Sequence, residues 1–297
     1  MLLAVAPVCR AQVEAPRRLA LTWENDLLAG TDRHYTNGLR VELSGRLDPR
    51  VLPSWLAGED AAWGLAVGQR IYTPERLDVT GVVANDRPYA GWSYLALSVS
   101  RRVAAVGWED RIELSLGIVG PASGAEATHE LGHDLLGSEA PLGWRHQLND
   151  EPTVALSYRA SAQLNRWDAG GLGGDVSPAL GVSLGNVATF ASVGITARVG
   201  FGVPIAASDT PRPLRIYLTA SAEVRLIGFD IFLDGNLLRR AGHHMVKERV
   251  VGDVSLGLVV AIHDRLSFTY MHTLRTPEFE GQGGPDQFGS ISITVGW

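Results

Sequence analysis

Apolar and polar residues alternate with a period of two along almost the whole chain, in windows of about ten residues separated by turns rich in Gly, Pro, Asn and Asp. Successive side chains of a strand point to opposite faces, so each window reads as a strand with one apolar and one small or polar face. The pattern divides the chain into twelve strands, at 18–26, 35–45, 62–72, 89–101, 110–120, 151–163, 173–185, 188–200, 214–227, 246–262, 264–274 and 286–297. The last is the plainest, because Ile291, Ile293, Val295 and Trp297 alternate with Ser292, Thr294 and Gly296. Strands of ~9–11 residues cross a bilayer when tilted, and a sheet closed on itself leaves no edge groups unpaired in lipid. The expectation is an all-β fold, a 12-stranded antiparallel transmembrane β-barrel.

An even strand count puts both termini in the periplasm and every connection after an odd-numbered strand outside. The turns Gly107–Asp110, Ala207–Pro213 and His263–Asp264 then fall inside, and the long segments 121–150, 228–245 and 275–285 outside, together with the tight turn at Gly185–Asn186. Ala122–Leu136 has the spacings of a short helix, placed in an extracellular loop. The terminal aromatic, Trp297, resembles the last residue of barrels inserted by the outer-membrane assembly machinery, and with it the chain is expected in the outer membrane of a Gram-negative cell.

Composition narrows this picture. The chain has 297 residues and is 45% hydrophobic, yet it offers no run of about twenty apolar residues for a membrane helix. A net charge of −6 and the lack of a Lys/Arg run exclude nucleic acid as a partner. Cys9 lies in the apolar stretch Met1–Ala15, which resembles the end of a secretory signal peptide without its basic start. Residues 1–16 are therefore read as a leader remnant and 17–297 as the barrel, which then holds no cysteine. Val8 is a poor fit to the small residue that lipid modification of Cys9 prefers.

Strand parity places Asn25, Asp26, Thr36 and His133 on one rim. Polar residues at strand ends usually cap turns, and only their convergence favours a site. His129-Glu130-Leu131-Gly132-His133 matches the zinc-hydrolase pattern H-E-x-x-H, but no third ligand stands at a fitting distance and Gly132 weakens the helix. His243 and His244, with Arg239, Arg240 and Lys247, could meet phosphates or form an ordinary loop. Asp86-Arg87 could orient a substrate, while the Pro88-Tyr89-Ala90-Gly91-Trp92 run reads as a strand start with an interfacial aromatic. Trp23, Trp63, Trp108 and Trp144 read as membrane-belt anchors.

Read together, these stretches resemble the lipid A 3′-O-deacylase family over essentially the whole barrel. The matching segments are Glu24-Asn25-Asp26, Tyr35-Thr36-Asn37-Gly38-Leu39, Ile71-Tyr72-Thr73-Pro74, Asp86-Arg87-Pro88-Tyr89-Ala90-Gly91-Trp92, Gly120-Pro121 with His133 twelve residues on, and Gly143-Trp144-Arg145-His146-Gln147-Leu148. The resemblance implies a calcium-dependent hydrolase that removes an ester-linked acyl chain, the 3′-acyloxyacyl group, from lipopolysaccharide. By the same resemblance His133 is the general base and Glu139 the acid that supports it. Asn25, Asp26 and Thr36 fall on further active-site positions, with Asp26 and Asn25 the expected Ca2+ ligands. His129 stands where the family does not demand histidine. Val79 stands near a lysine of some members, whose phosphate contact Arg76 or Arg87 would have to make.

Water is the expected nucleophile, since no serine is placed as one. Two other classes remain open at this point: a non-enzymatic pore or scaffold, and a zinc hydrolase using His129 and His133. The expected partners are lipopolysaccharide, outer-membrane lipids and the barrel assembly machinery, with the chain itself a monomer.

Overall fold

A computed structural model describes residues 17–31, 33–51, 60–204, 212–238, 242–263 and 265–297. The proposed leader, most of the Ala207–Pro213 turn, and Arg239 and Arg240 lie outside these residues. The strands are β1 (Arg17–Asn25), β2 (His34–Leu47), β3 (Asp60–Thr73), β4 (Ala90–Val103), β5 (Trp108–Val119), β6 (Glu151–Ala162), β7 (Leu164–Ala169), β8 (Leu172–Gly185), β9 (Ala188–Phe201), β10 (Leu214–Asp230), β11 (Val250–Ile262), β12 (Leu266–Arg275) and β13 (Asp286–Gly296). Each pairs antiparallel with its neighbours, and β1 closes the sheet on β13.

Thirteen segments make twelve staves because β6 and β7 are two halves of one. Both pair with β8, and the chain breaks between them at Gln163. There the Gln163 amide turns inward and donates to Asp175 Oδ2 at 3.0 Å and to the Pro204 carbonyl at 2.7 Å. Period-two reading left β7 as a turn, since a side-chain amide recruited inward interrupts the alternation. Two further boundaries move. The expected strand 246–262 begins at Val250, preceded by a lone bridge from Lys247 to Phe279, and β10 runs on past an irregularity near Gly228 to Asp230.

The two faces obey the alternation. Outward positions such as Leu95, Leu97 and Leu116 are 61%, 60% and 55% exposed, a band that only lipid accommodates. Inward positions carry ion pairs across the lumen, among them Arg40 with Glu42 and Glu113, Arg159 with Glu223, and Arg225 and Arg275 with Asp253. Burying these charges is tolerable because each finds an opposite partner.

The three longest connections, 74–89, 120–150 and 231–249, gather at one rim. There the short helix α2 (Ile231–Asp234) drops into the barrel, with Ile231, Phe232 and Leu233 buried. Phe232 stacks on Tyr72 at 4.1 Å, and Tyr35, Phe288, Trp92 and Tyr94 complete an aromatic plug. A cavity of about 370 Å³ lies below it, lined by Ser, Thr, Ala and paired charges. Trp92 belongs to this plug, donating to Thr153 Oγ1 at 2.9 Å, so it is not the interfacial aromatic that its Pro-Tyr-Ala-Gly-Trp context suggested.

Candidate active site

The loop after β5 opens with a tight turn at Pro121–Ser123 and continues as α1 (Ala125–Leu136), slightly shorter than the expected 122–136. Gly120 sets the turn: its φ is +104°, and a Cβ there would strike the main chain of Asn149 and Asp150. Ala125, His129 and His133, four residues apart, form the buried face, while Glu130 and Asp134 face out. The helix ends in a left-handed Gly137 whose N–H bonds the Asp134 carbonyl, with Ser138 N–H bonding that of His133.

This helix docks on the outside of the barrel wall. Gln69 of β3 and Ser93 of β4 alternate with lumen-facing neighbours, and both donate to the Ser123 carbonyl, at 2.9 and 2.7 Å. Gly91, two residues before Ser93, leaves the space that Ala125 and Ser123 fill. Ile71, Tyr89, Ala125 and Trp144 close into one apolar cluster with Leu77. Trp144 is therefore buried between helix and wall rather than being a membrane-belt anchor.

Behind the helix runs a chain of hydrogen bonds with one consistent proton assignment. An indole N–H can only donate, and Trp144 Nε1 donates to His129 Nδ1 at 3.1 Å. His129 must then carry its proton on Nε2, which lies 3.1 Å from His133 Nε2. His133 accepts there, so its own proton sits on Nδ1 and goes to the main-chain carbonyl of Glu139 at 2.5 Å. Burial, with His133 beside it, pushes the pKa of His129 down to about 3, in keeping with a neutral ring. The expected support of His133 by Glu139 is thus made by the peptide carbonyl. The Glu139 side chain is exposed.

In this arrangement the two rings of the H-E-x-x-H segment bond to each other, Nε2 to Nε2 at 3.1 Å. Among the described residues no three His, Cys, Asp or Glu side chains converge on a common point for a metal.

Asn25, Asp26 and Thr36 occupy the same rim, one to three staves away, with Asp26 buried in the turn that follows β1. Asn25 ends β1 on the side of Leu19, Leu21 and Trp23, where its Oδ1 accepts from Leu27 N at 2.8 Å. Asp26 opens the turn Asp26–Ala29 and accepts from Arg33 N at 2.6 Å. Thr36 sits at an irregularity in the β2–β3 register that turns it to Thr73, their hydroxyls 2.7 Å apart. Strands lie ~4.8 Å apart, so β1 and β3 are separated by only about 10 Å. His133 bonds within its own loop, and Asn25 and Thr36 bond to their neighbouring strands; what the two groups share is a rim. The donor chemistry at the β1 end suits a hard cation. It offers a carboxylate, an amide oxygen and a hydroxyl, and a carboxylate has lone pairs beyond the one that Arg33 uses.

The family model for the outer membrane protein LpxR matches residues 1–297. The chain belongs to the LpxR family. The solved structure of LpxR from Salmonella typhimurium superposes with a TM-score of 0.79 at 19% identity, covering 94% of this chain and 100% of that one. The β domain of the Bordetella autotransporter BrkA gives a TM-score of 0.49 at 8% identity, over 95% and 98% of the two chains. Curated protein sequences provide no match. As an LpxR-family barrel the chain resides in the Gram-negative outer membrane, and the rim with the long loops is the extracellular one.

The remaining family-motif positions mostly build the seam of this LpxR-type rim. Arg87 is buried against Glu278 at 3.1 Å, its guanidinium over the rings of Tyr72 and Phe279. It therefore clamps two loops, and neither Arg87 nor Asp86, which His34 and His243 engage, is placed to orient a substrate. Arg76 stays exposed, beside Asp78 at 3.3 Å. Of the basic loop cluster, Lys247 is taken by Asp234 at 2.6 Å. Sequence reading passed over Gln69 and Ser93, which dock the helix, and gave Gly91 and Thr73 no role beyond the family-matching segments that contain them. Polar or small residues in an outward, lipid-side register were the signal for them.

Proposed function

We propose that this barrel hydrolyses the 3′-acyloxyacyl ester of lipid A in a calcium-dependent reaction. One observation carries the reading: a histidine of fixed tautomer stands on the outside of the wall, at the extracellular rim, where outer-leaflet lipid meets the barrel. A pore would need a lumen open at both ends, and the aromatic plug caps the cavity of this one at the rim. A substrate would approach laterally, along the apolar band below α1, with the exposed Leu131 and Leu135 of the helix beside its acyl chains.

The Nδ1–H bond to the Glu139 carbonyl leaves the Nε2 lone pair of His133 as the basic position. His133 takes a proton from water there, and the water oxygen bonds to the ester carbonyl carbon. As the tetrahedral intermediate collapses the C–O ester bond breaks, and His133 returns the proton to the leaving alkoxide. The Glu139 carbonyl, aimed at Nδ1–H, favours the transient imidazolium. A calcium ion held by Asp26 with Asn25 would supply positive charge for the developing oxyanion. Thr36 lies on the same rim to contact the substrate.

With this reading go a monomeric barrel and insertion by the assembly machinery. Mass spectrometry of lipid A from cells producing the chain tests it. Loss of the 3′-acyloxyacyl mass is expected with the wild type and calcium, and no loss with His133→Ala, with Asp26→Ala or under chelation. An unaltered lipid A profile in wild-type cells at full expression would overturn the proposal.

A further inference from the structure

Trp144 does more than fill space beside the proposed base. By donating to His129 Nδ1 it fixes the proton of that ring on Nε2, and this N–H points at the nitrogen that base catalysis requires. The two rings stand edge to face, at 89° with centroids 4.6 Å apart. His133 has one lone pair in its neutral form, since Nδ1–H is committed to Glu139. A water molecule cannot hand a proton to a lone pair that already accepts one. Nor does the closed arrangement tolerate the product of proton transfer, because an imidazolium at His133 would set two N–H groups against each other 3.1 Å apart.

We propose that His129 is a latch on the base: its Nε2–H occupies His133 Nε2, and His133 takes a proton from water only when the His129 ring has swung away. The inference rests on the deacylase reading for its kinetic consequence, but not for its geometry. Two neutral hydrogen bonds hold the ring, one from Trp144 and one to His133, which is weak enough to open reversibly. Space exists for the movement, since Gly132 lies one turn on from His129 and a Cβ there would meet nothing within 4 Å. The surroundings add no competing charge. Gln69, Ile71, Gly91 and Ser93 are what β3 and β4 present to the helix, and Glu130, Asp134 and Glu139 are exposed. Glu126 is engaged by Gln147 at 3.4 Å, and Tyr89 lies against Trp144.

The test compares the wild-type barrel with His129→Leu, His129→Ala and Trp144→Phe, refolded in detergent with calcium and checked for heat-modifiable migration. Deacylation of purified lipid A is followed across pH, alongside ring-nitrogen NMR of 15N-histidine-labelled protein. In His129→Leu, kcat should rise by roughly 2–10-fold, the equilibrium worth of one neutral hydrogen bond. The Nε2 resonance of His133 should shift from a bonded towards a free acceptor. Trp144→Phe, which unlocks the His129 tautomer, should give a smaller change in the same direction. Unchanged or lower kcat in both His129 variants would overturn the latch, and so would an Nε2 resonance that ignores the loss of His129. A wild type inactive on lipid A would defeat the deacylase reading alone, since the NMR comparison still decides the latch.

Discussion

The Nδ1–H of His133 meets the main-chain carbonyl of Glu139 at 2.5 Å, and the Glu139 side chain points to solvent. A peptide carbonyl survives any side-chain substitution, so the orientation of the base does not depend on the acid. Glu139→Ala should keep deacylation within about 3-fold of wild type, whereas His133→Ala should lose ~10²–10⁴-fold, the usual weight of a general base. Lipid A turnover by the two purified variants decides this. A loss in Glu139→Ala matching that of His133→Ala would restore a catalytic role to the carboxylate.

Arg87 and Glu278 form a pair with both side chains almost wholly buried, linking the β3–β4 and β12–β13 connections above the plug. Removing Arg87 leaves Glu278 with Arg275 at 3.5 Å as its remaining guanidinium, so the cost stays below the ~3–5 kcal/mol of a fully stranded buried charge. Arg87→Gln should accordingly lower resistance to urea, and adding Glu278→Gln should recover part of the loss. Equilibrium unfolding of the refolded barrels measures both. A double variant no better than Arg87→Gln would mean that the pair does not act as a unit.

The barrel was readable from sequence because lipid imposes alternation: apolar residues outside and small or charged ones inside leave the same period-two mark on the staves, the one broken at Gln163 between β6 and β7 excepted. Strand parity put Asn25, Asp26, Thr36 and His133 on one rim, and the fold has the ends of β1, β2 and β5 that carry them at that rim. Contacts made by the main chain leave no such mark, so the sequence suggested a Glu139 carboxylate where a carbonyl serves. Trp144 misled for a related reason. An aromatic near a strand end suits a membrane belt as well as a helix seam, and only the fold of residues 137–148 back under α1 separates the two.

The buried His129 makes the docked helix sensitive to acid. Its pKa in the closed loop is about 3, against about 6.5 for an exposed imidazole. Opened loops therefore bind a proton that closed ones refuse, and docking is fully stable above about pH 6.5 and weakens as the pH falls toward 3. By pH 5 the loss is about 2 kcal/mol. Hydrogen-exchange protection factors of the α1 amides should fall over this window in the wild type, while in His129→Leu they should stay level. Protection that declines equally in both would place the acid sensitivity elsewhere.

Gly91 offers a way to separate the barrel from its site. A side chain there would meet Ala125 Cβ and Ser123 Oγ, both belonging to the docked loop and neither to a strand. The neighbours of Gly91 in the wall, by contrast, pair normally through Tyr72–Ala90 and Arg70–Trp92, so the sheet itself has room. Gly91→Leu should lever α1 off β3 and β4 and carry His133 from its place on the rim it shares with Asn25 and Thr36. A shift of even 1 Å at a catalytic group can cost ~10²-fold. The expected outcome is a barrel with normal heat-modifiable migration and urea midpoint but at least ~10²-fold slower deacylation. Full activity in Gly91→Leu would show that the helix does not need its seat on the wall to present His133.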